Sequence, residues 1–259
     1  MNVQNPFETT DSRAVSDVLA FTIVFSIIIT SVGLTYTIGF GALDDAQSGE
    51  QSQNAERAIT ALGINFEDVE RGEAEARSGQ IALRGASIDI ADDSTINVTV
   101  VDGGTTESTG EIPMRSFTYT TDDTELAYQG GGVFRSDDGN SITVSEPRVQ
   151  CGEDRAIVTV VQLRSTESGI SGSSTVEIEA RSTGGGPSLV YPNESRSATA
   201  DRVTLDLEDT RHDEAWDRYL TEDDNEWTSS GGTYTCDFGG SGSTGQVYVR
   251  LVTIRIEFV

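Results

Sequence analysis

Between Val18 and Leu43 the chain runs for 26 residues, VLAFTIVFSIIITSVGLTYTIGFGAL, without a charged side chain. At roughly 1.5 Å per residue a helix of this length covers about 39 Å, more than the roughly 30 Å hydrocarbon core of a bilayer, which predicts a membrane-spanning helix. Thr22, Ser26, Thr30 and Ser31 recur at three- to four-residue intervals. They either form one stripe for helix–helix contact or are hydroxyls that any membrane helix tolerates. From Asn54 the pattern becomes two-sided, with Ala55, Ala58, Ile59, Leu62, Phe66 and Val69 on one face and Glu56, Arg57, Glu67 and Glu70 largely elsewhere. That spacing predicts an amphipathic helix of about four turns, either packed on a sheet or exposed as a stalk or short coiled coil. Val18 to Glu70 reads as one long helix softened at Gly33, Gly39, Gly41 and Gly49, because glycine is unfavourable inside a helix.

After Arg77 the period falls to two. Residues 80–84, 87–90 and 96–101 alternate apolar and polar positions between turn signals at Arg84-Gly85 and Asp92-Asp93, which predicts strands of an antiparallel sheet. Further strands are predicted over 116–120, 125–129, 133–135, 141–144, 156–163, 175–180, 188–191 and 202–207. One helix interrupts them over 213–220, where Ala215, Trp216, Tyr219 and Leu220 share a face. The closing run QVYVRLVTIRIEFV, 246–259, is apolar on both faces and predicts a central strand packed on the amphipathic helix. The fold class is therefore α+β: a long N-terminal hydrophobic and amphipathic helix followed by a mainly antiparallel β ectodomain, as a sandwich or rolled sheet. The expected organisation is a leader or cytoplasmic tail over 1–14, a transmembrane helix over 15–43, an amphipathic helical stalk over 44–71 and an extracellular β-rich domain over 72–259.

Charge narrows the partners. Among 259 residues 43 are acidic and 17 basic, a formal charge of -26 that excludes nucleic acid as a partner of the soluble part, leaving membrane lipid for the apolar helix. All 17 basic residues are Arg. With abundant Asp, Glu, Thr, Ser and Gly, this composition resembles proteins of extreme halophiles, whose carboxylate surfaces stay hydrated in high salt; high-GC coding also favours Arg. Arg13 precedes the apolar run and the next Arg is Arg57, so the positive-inside rule puts the N-terminus in the cytoplasm and the rest outside a single-pass membrane protein. Outside the cell Cys151 and Cys236, the two cysteines of the chain, form a disulfide; the alternative is two independent buried thiols.

The junction before the apolar run, Arg13-Ala14-Val15-Ser16, resembles the class III signal of archaeal type IV pilin-like proteins and matches the opening of haloarchaeal pilins. The resemblance covers about thirty residues, from Arg13 through the span, and implies cleavage by a prepilin peptidase after Ala14, with Val15 as the mature N-terminus and the helix retained for assembly with pilin-like subunits. Asp17 stands where such pilins commonly carry Pro. By the same resemblance it would neutralise a neighbouring subunit's free amino terminus, the alternative being an interfacial carboxylate facing water. Asn97-Val-Thr99 and Asn193-Glu-Ser195 are N-glycosylation sequons in the expected exterior domain.

No catalytic, cofactor-binding or metal site is predicted, and the expected protein is not an enzyme. The string Gly240-Ser-Gly242-Ser-Thr-Gly245 fits G-x-G-x-x-G, but a strand follows it where a dinucleotide site needs a helix. The acidic pairs Asp92-Asp93, Asp122-Asp123, Asp137-Asp138 and Asp223-Asp224 lack the spacing of a cation loop and read as solvated turns. His212, the single histidine, has no G-x-S-x-G motif to serve and is expected at the surface. The expected function is that of a type IV pilin-like or minor-pilin cell-surface subunit. Its alternative is a permanently tethered envelope protein with a β-rich binding domain, and a third reading, an anchored hydrolase, requires acids that converge in a cleft.

Overall fold

The computed structural model describes residues 11–92, 94–121, 124–137, 139–222, 225–238 and 243–259, with the side chains of 11–15, 44, 45 and 48 outside the description. Helix α1, Asp11–Arg71, is 61 residues long and helical bonding continues through all four of its early glycines. The chain divides into two compact units, Met1–Gln51 and Ser52–Val259. The first holds the apolar half of α1, where Ser16–Leu43 is long and apolar enough to cross a membrane and none of it is buried. The second holds the rest of α1 and all the strands.

Among the described residues the strands form three six-stranded sheets. The first has the order Ala76–Ala82, Thr175–Tyr191, Gly245–Phe258, Arg155–Arg164, Val149–Gly152, with Thr199–Ala200 also paired to Gly245–Phe258. The second runs Gly169–Ser171, Ser87–Ala91, Ser116–Thr120, Thr124–Gln129, Gly132–Asp137, Asn140–Ser145. The third runs Thr228–Ser230, Thr233–Asp237, Arg202–Glu208, Thr95–Asp102, Thr105–Ser108, with Ile112–Pro113 beside Thr95–Asp102. Every pairing is antiparallel except Arg155–Arg164 with Gly245–Phe258, which is parallel.

The first sheet is shared by two cores, which explains why its central strands are apolar on both faces. Val247 and Val249 join a cluster with Val98, Val203 and Tyr234 of the third sheet, whereas Val252, Ile254 and Ile256 join another with Phe117 and Tyr128 of the second. Strand Arg155–Arg164 divides in the same way, Val158 and Val160 to one core and Val161 and Leu163 to the other. The later half of α1 inserts Ile59, Leu62, Phe66 and Val69 into the second cluster, all at most 3% exposed, as the 3.6-residue period predicts. It lies close against the strands: a Cβ at Gly63 would stand 2.9 Å from Val133 Cγ2. It meets the last strand as expected: Arg250 donates to the Glu70 carbonyl at 3.4 Å, and Ile254 and Ile256 join the same cluster.

Three sequence expectations need correction. Segments 175–180 and 188–191 belong to one strand, Thr175–Tyr191, whose register shifts between Thr183 and Ser188. Gly184, Gly185 and Gly186 carry φ of 79°, 88° and 98° there, a left-handed bulge that the Gly-rich string disguises as a turn. Edge and hairpin strands such as Thr105–Ser108, Gly169–Ser171 and Thr228–Ser230 were not expected, because their short polar segments show no alternation.

His212 is the third correction: it is fully buried, not at the surface. It stands at the N-cap of α2, Asp213–Thr221, and stacks on Phe134 with ring centroids 5.5 Å apart and an interplanar angle of 11°. Helix α2 packs on the edge strands Asn140–Ser145 and Thr228–Ser230 and buries the expected face of Ala215, Trp216, Tyr219 and Leu220. A buried polar relay fixes it: Trp216 Nε1 donates to Gln129 Oε1 at 3.0 Å, and Gln129 Nε2 donates to Ser94 Oγ at 2.8 Å. Each buried donor thus finds an acceptor, where leaving one unmade would cost about 1 to 3 kcal/mol.

Candidate functional site: an apolar helix and a charged cleft

The apolar half of α1 is functional by its chemistry. Phe21, Phe25, Ile28, Leu34, Ile38 and Phe40 are each more than half exposed, on every side of the helix. Exposed apolar surface costs about 25 cal/mol per Å2, so such a segment requires lipid or another protein around it. Three of its hydroxyls bond back to the helix: Thr22 Oγ1 donates to Val18 O at 2.8 Å, Ser31 Oγ to Ile28 O at 3.2 Å and Thr37 Oγ1 to Gly33 O at 3.0 Å. At these positions the polar atom is satisfied within the helix. Asp17 is exposed at its edge. Arg13, Ala14 and Val15 fall in the helical backbone, and their side chains lie outside the described residues.

The second unit carries a cleft of about 690 Å3 lined by Glu67, Gly131, Glu146, Arg148, Thr159 and Arg250, among others. Glu67 comes from α1, Arg148 from the turn before Val149–Gly152, and Thr159 and Arg250 from opposed positions on the parallel strand pair. Beside this cleft Glu70 is 1% exposed, and its Oε1 has no hydrogen bond. Arg148 Nε stands 3.5 Å from that oxygen, and Arg148 also forms a close ion pair with Glu67. Arg250 donates to the Glu70 carbonyl at 3.4 Å. Gly131, with φ of 93°, lies over the carboxylate; a Cβ there would stand 3.6 Å from Glu70 Oε2.

Burial raises the Glu70 pKa from 4.5 to about 7, against the opposing pull of Arg148 and Arg250. The charged form is poorly solvated, and two guanidinium groups recover only part of the loss. The Tyr128 hydroxyl, also buried without a hydrogen bond, has its pKa pushed well up by burial and then by the negative field of Glu70 and Glu67. A carboxyl group that exchanges its proton near neutrality thus sits beside a solvent-open cleft.

Sequence reasoning placed Glu70 on the polar face and passed over Arg148 and Arg250. The signal for Glu70 was present: it follows Phe66 by four positions, on the apolar stripe. Arg148 and Arg250 carry no such signal, because they are 102 positions apart and only strand pairing brings them together.

Other anticipated sites separate in the structure. Cys151 and Cys236 form the disulfide, with Cα atoms 5.8 Å apart, linking the first and third sheets inside the core. Asn97 is half-buried in strand Thr95–Asp102, its side-chain oxygen accepting from Ser108 Oγ at 2.7 Å. Asn193 is exposed, its side-chain oxygen accepting from Ser195 N at 2.9 Å. The acidic pairs contribute Asp92 and Asp137 to ion pairs with Arg115 and Arg135; Asp93, Asp122, Asp123, Asp138, Asp223 and Asp224 lie outside the described residues. So do Gly240 to Gly242 of the glycine-rich string. Among the described residues, no group of three or more His, Cys, Asp and Glu side chains is arranged to hold a metal ion.

An N-terminal apolar helix joined to a disulfide-bonded β domain defines a class: proteins anchored in a membrane or secreted through one, the helix serving as membrane anchor or signal sequence. Within it, the chain belongs to DUF7289, a family of unknown function, which it matches over residues 13–257. No curated protein and no solved structure matches it.

Proposed function

We propose that this protein is a type IV pilin-like or minor-pilin subunit of the cell surface, which acts by anchoring and assembly and not by chemistry. The observation that carries the proposal is the contrast within α1: a half that is apolar on all sides and wholly exposed, continued by a half that is amphipathic and built into a β domain. A pilin-like subunit needs such a helix, first as an anchor in lipid and then as a packing surface among identical or related helices. The Arg13-Ala14-Val15 junction supplies the processing site, with a prepilin peptidase as partner on the cytoplasmic side. Asp17, exposed in the first turn that cleavage would leave, would neutralise a neighbouring subunit's new amino group. The β domain would be extracellular, where its disulfide is stable.

N-terminal peptide mass spectrometry of membrane-extracted protein, from cells with and without their prepilin peptidase, tests this directly. The expected mature start is Val15, lost when the peptidase is removed. An intact N-terminus in both strains overturns the proposal and leaves the permanently tethered envelope protein.

A further inference from the structure

A second cleft, of about 540 Å3, is lined by Arg115, Arg164, Arg255, Gln162 and Asp92, together with neighbouring backbone and hydroxyl groups. Three guanidinium groups against one carboxylate make it locally cationic, in a chain with 43 acidic residues and only 17 arginines. The larger cleft differs: there Arg148 and Arg250 are answered by Glu67, Glu146 and the underlying Glu70.

Sheet register creates the charge concentration. Arg164 and Arg255 are directly opposed on the parallel pair Arg155–Arg164 and Gly245–Phe258, so they share one face of the first sheet. Arg181 opposes Arg255 from the other side, on Thr175–Tyr191, which extends the row to three strands. Adjacent strands lie about 4.8 Å apart, and like charges directly opposite one another are destabilising.

Carboxylate partners offset this repulsion at Arg115 and Arg181 but not at Arg164 and Arg255. Arg115 is held by Asp92 through two bonds, at 2.5 and 2.6 Å, and Arg181 pairs with Glu179. Arg164 shares the single neutral oxygen of Gln162, at 3.1 and 3.2 Å. Arg255 has no hydrogen-bond or ion-pair partner among the described residues. A guanidinium fork is shaped to donate to two oxygens of a carboxylate, sulfate or phosphate, and two forks on neighbouring strands fit a ligand with more than one negative charge.

We propose that this cleft is a binding site for a multivalent oxyanion, with Arg164 and Arg255 as its principal ligands and Arg115 as a third, held in reserve by Asp92. Carboxylate, sulfate and phosphate share the required chemistry. The proposal is independent of whether the protein assembles with other subunits.

The test is isothermal titration of detergent-solubilised full-length protein with citrate, sulfate and inorganic phosphate, at constant ionic strength to hold screening fixed. Saturable one-to-one binding of at least one probe is expected, and the strongest probe identifies the ligand chemistry. R164Q and R255Q each weaken it about tenfold. R155Q, which removes the same charge from the far end of the same strand, leaves it unchanged. D92N tightens binding by releasing the Arg115 fork and removing a competing carboxylate, a gain that damaged folding cannot produce. Failure of all three probes to saturate overturns the proposal. So does binding that persists in R164Q/R255Q, or that R155Q weakens as much as R255Q does.

Discussion

The two halves of α1 share one backbone conformation but have opposite relations to solvent. Over Ser16–Leu43 no residue is buried and, apart from Asp17, none is charged; over the last five turns Ile59, Leu62, Phe66 and Val69 are buried while Arg57 and Ile64 are exposed. Helical structure alone therefore does not decide burial. The later half has one apolar stripe, which two sheets and their shared core cover. The earlier half has no polar side, so only a surrounding apolar phase satisfies it.

The largest test of this contrast is a pair of aromatic truncations. Phe66→Ala removes a buried ring that stands edge-on to Tyr128 at 4.9 Å and is expected to destabilise the β domain by about 3 to 5 kcal/mol in denaturant unfolding. Phe25→Ala, in the apolar half, should leave that transition unchanged. A charge reverses the pattern: Ile28→Arg is expected to cost about 3 to 4 kcal/mol of membrane insertion, measured by fractionation, without altering unfolding of the domain. If Phe25→Ala unfolds the domain, or Ile28→Arg leaves membrane association intact, the two halves do not have the separate roles assigned to them.

Glu70→Gln sharpens the comparison where α1 ends. In the folded protein Glu70 keeps its proton up to about pH 7, whereas the unfolded chain releases it near 4.5. Between those values the folded state binds more protons, so this group's contribution to stability falls as pH rises and levels off above about 7. The variant should therefore be more stable than the parent by about 3 kcal/mol above pH 7 and equal to it below about 4.5. Parallel stability–pH curves for the two proteins would show that Glu70 ionises normally. The smallest effect belongs to Glu56→Gln, which breaks a partly exposed 2.8 Å ion pair with Arg135 and should cost less than about 1 kcal/mol, declining with added salt.

Local pattern determined much of this protein. An uncharged run of 26 residues has one stable environment, a stripe at 3.6-residue spacing has one buried side, and period-two alternation after Arg77 has one regular form, the strand. These fixed the apolar helix, its amphipathic continuation, α2, most strands and the central place of the last one. The two cysteines of the chain, both in its β-rich part, also made their pairing legible.

What the sequence left open depends on which strands become neighbours. Burial of His212 follows from Phe134 and α2 meeting across 78 positions of chain, and the opposition of Arg164 and Arg255 follows from a parallel pairing that neither strand encodes alone. Glu70 stands between the two cases: its place on the apolar stripe was readable, but its raised pKa required Arg148, Arg250 and the cover of Gly131 to be assembled around it. Periodicity is a property of adjacent residues and survives without a fold, whereas dielectric, charge spacing and cavities arise only when distant strands are brought within a few ångströms of one another.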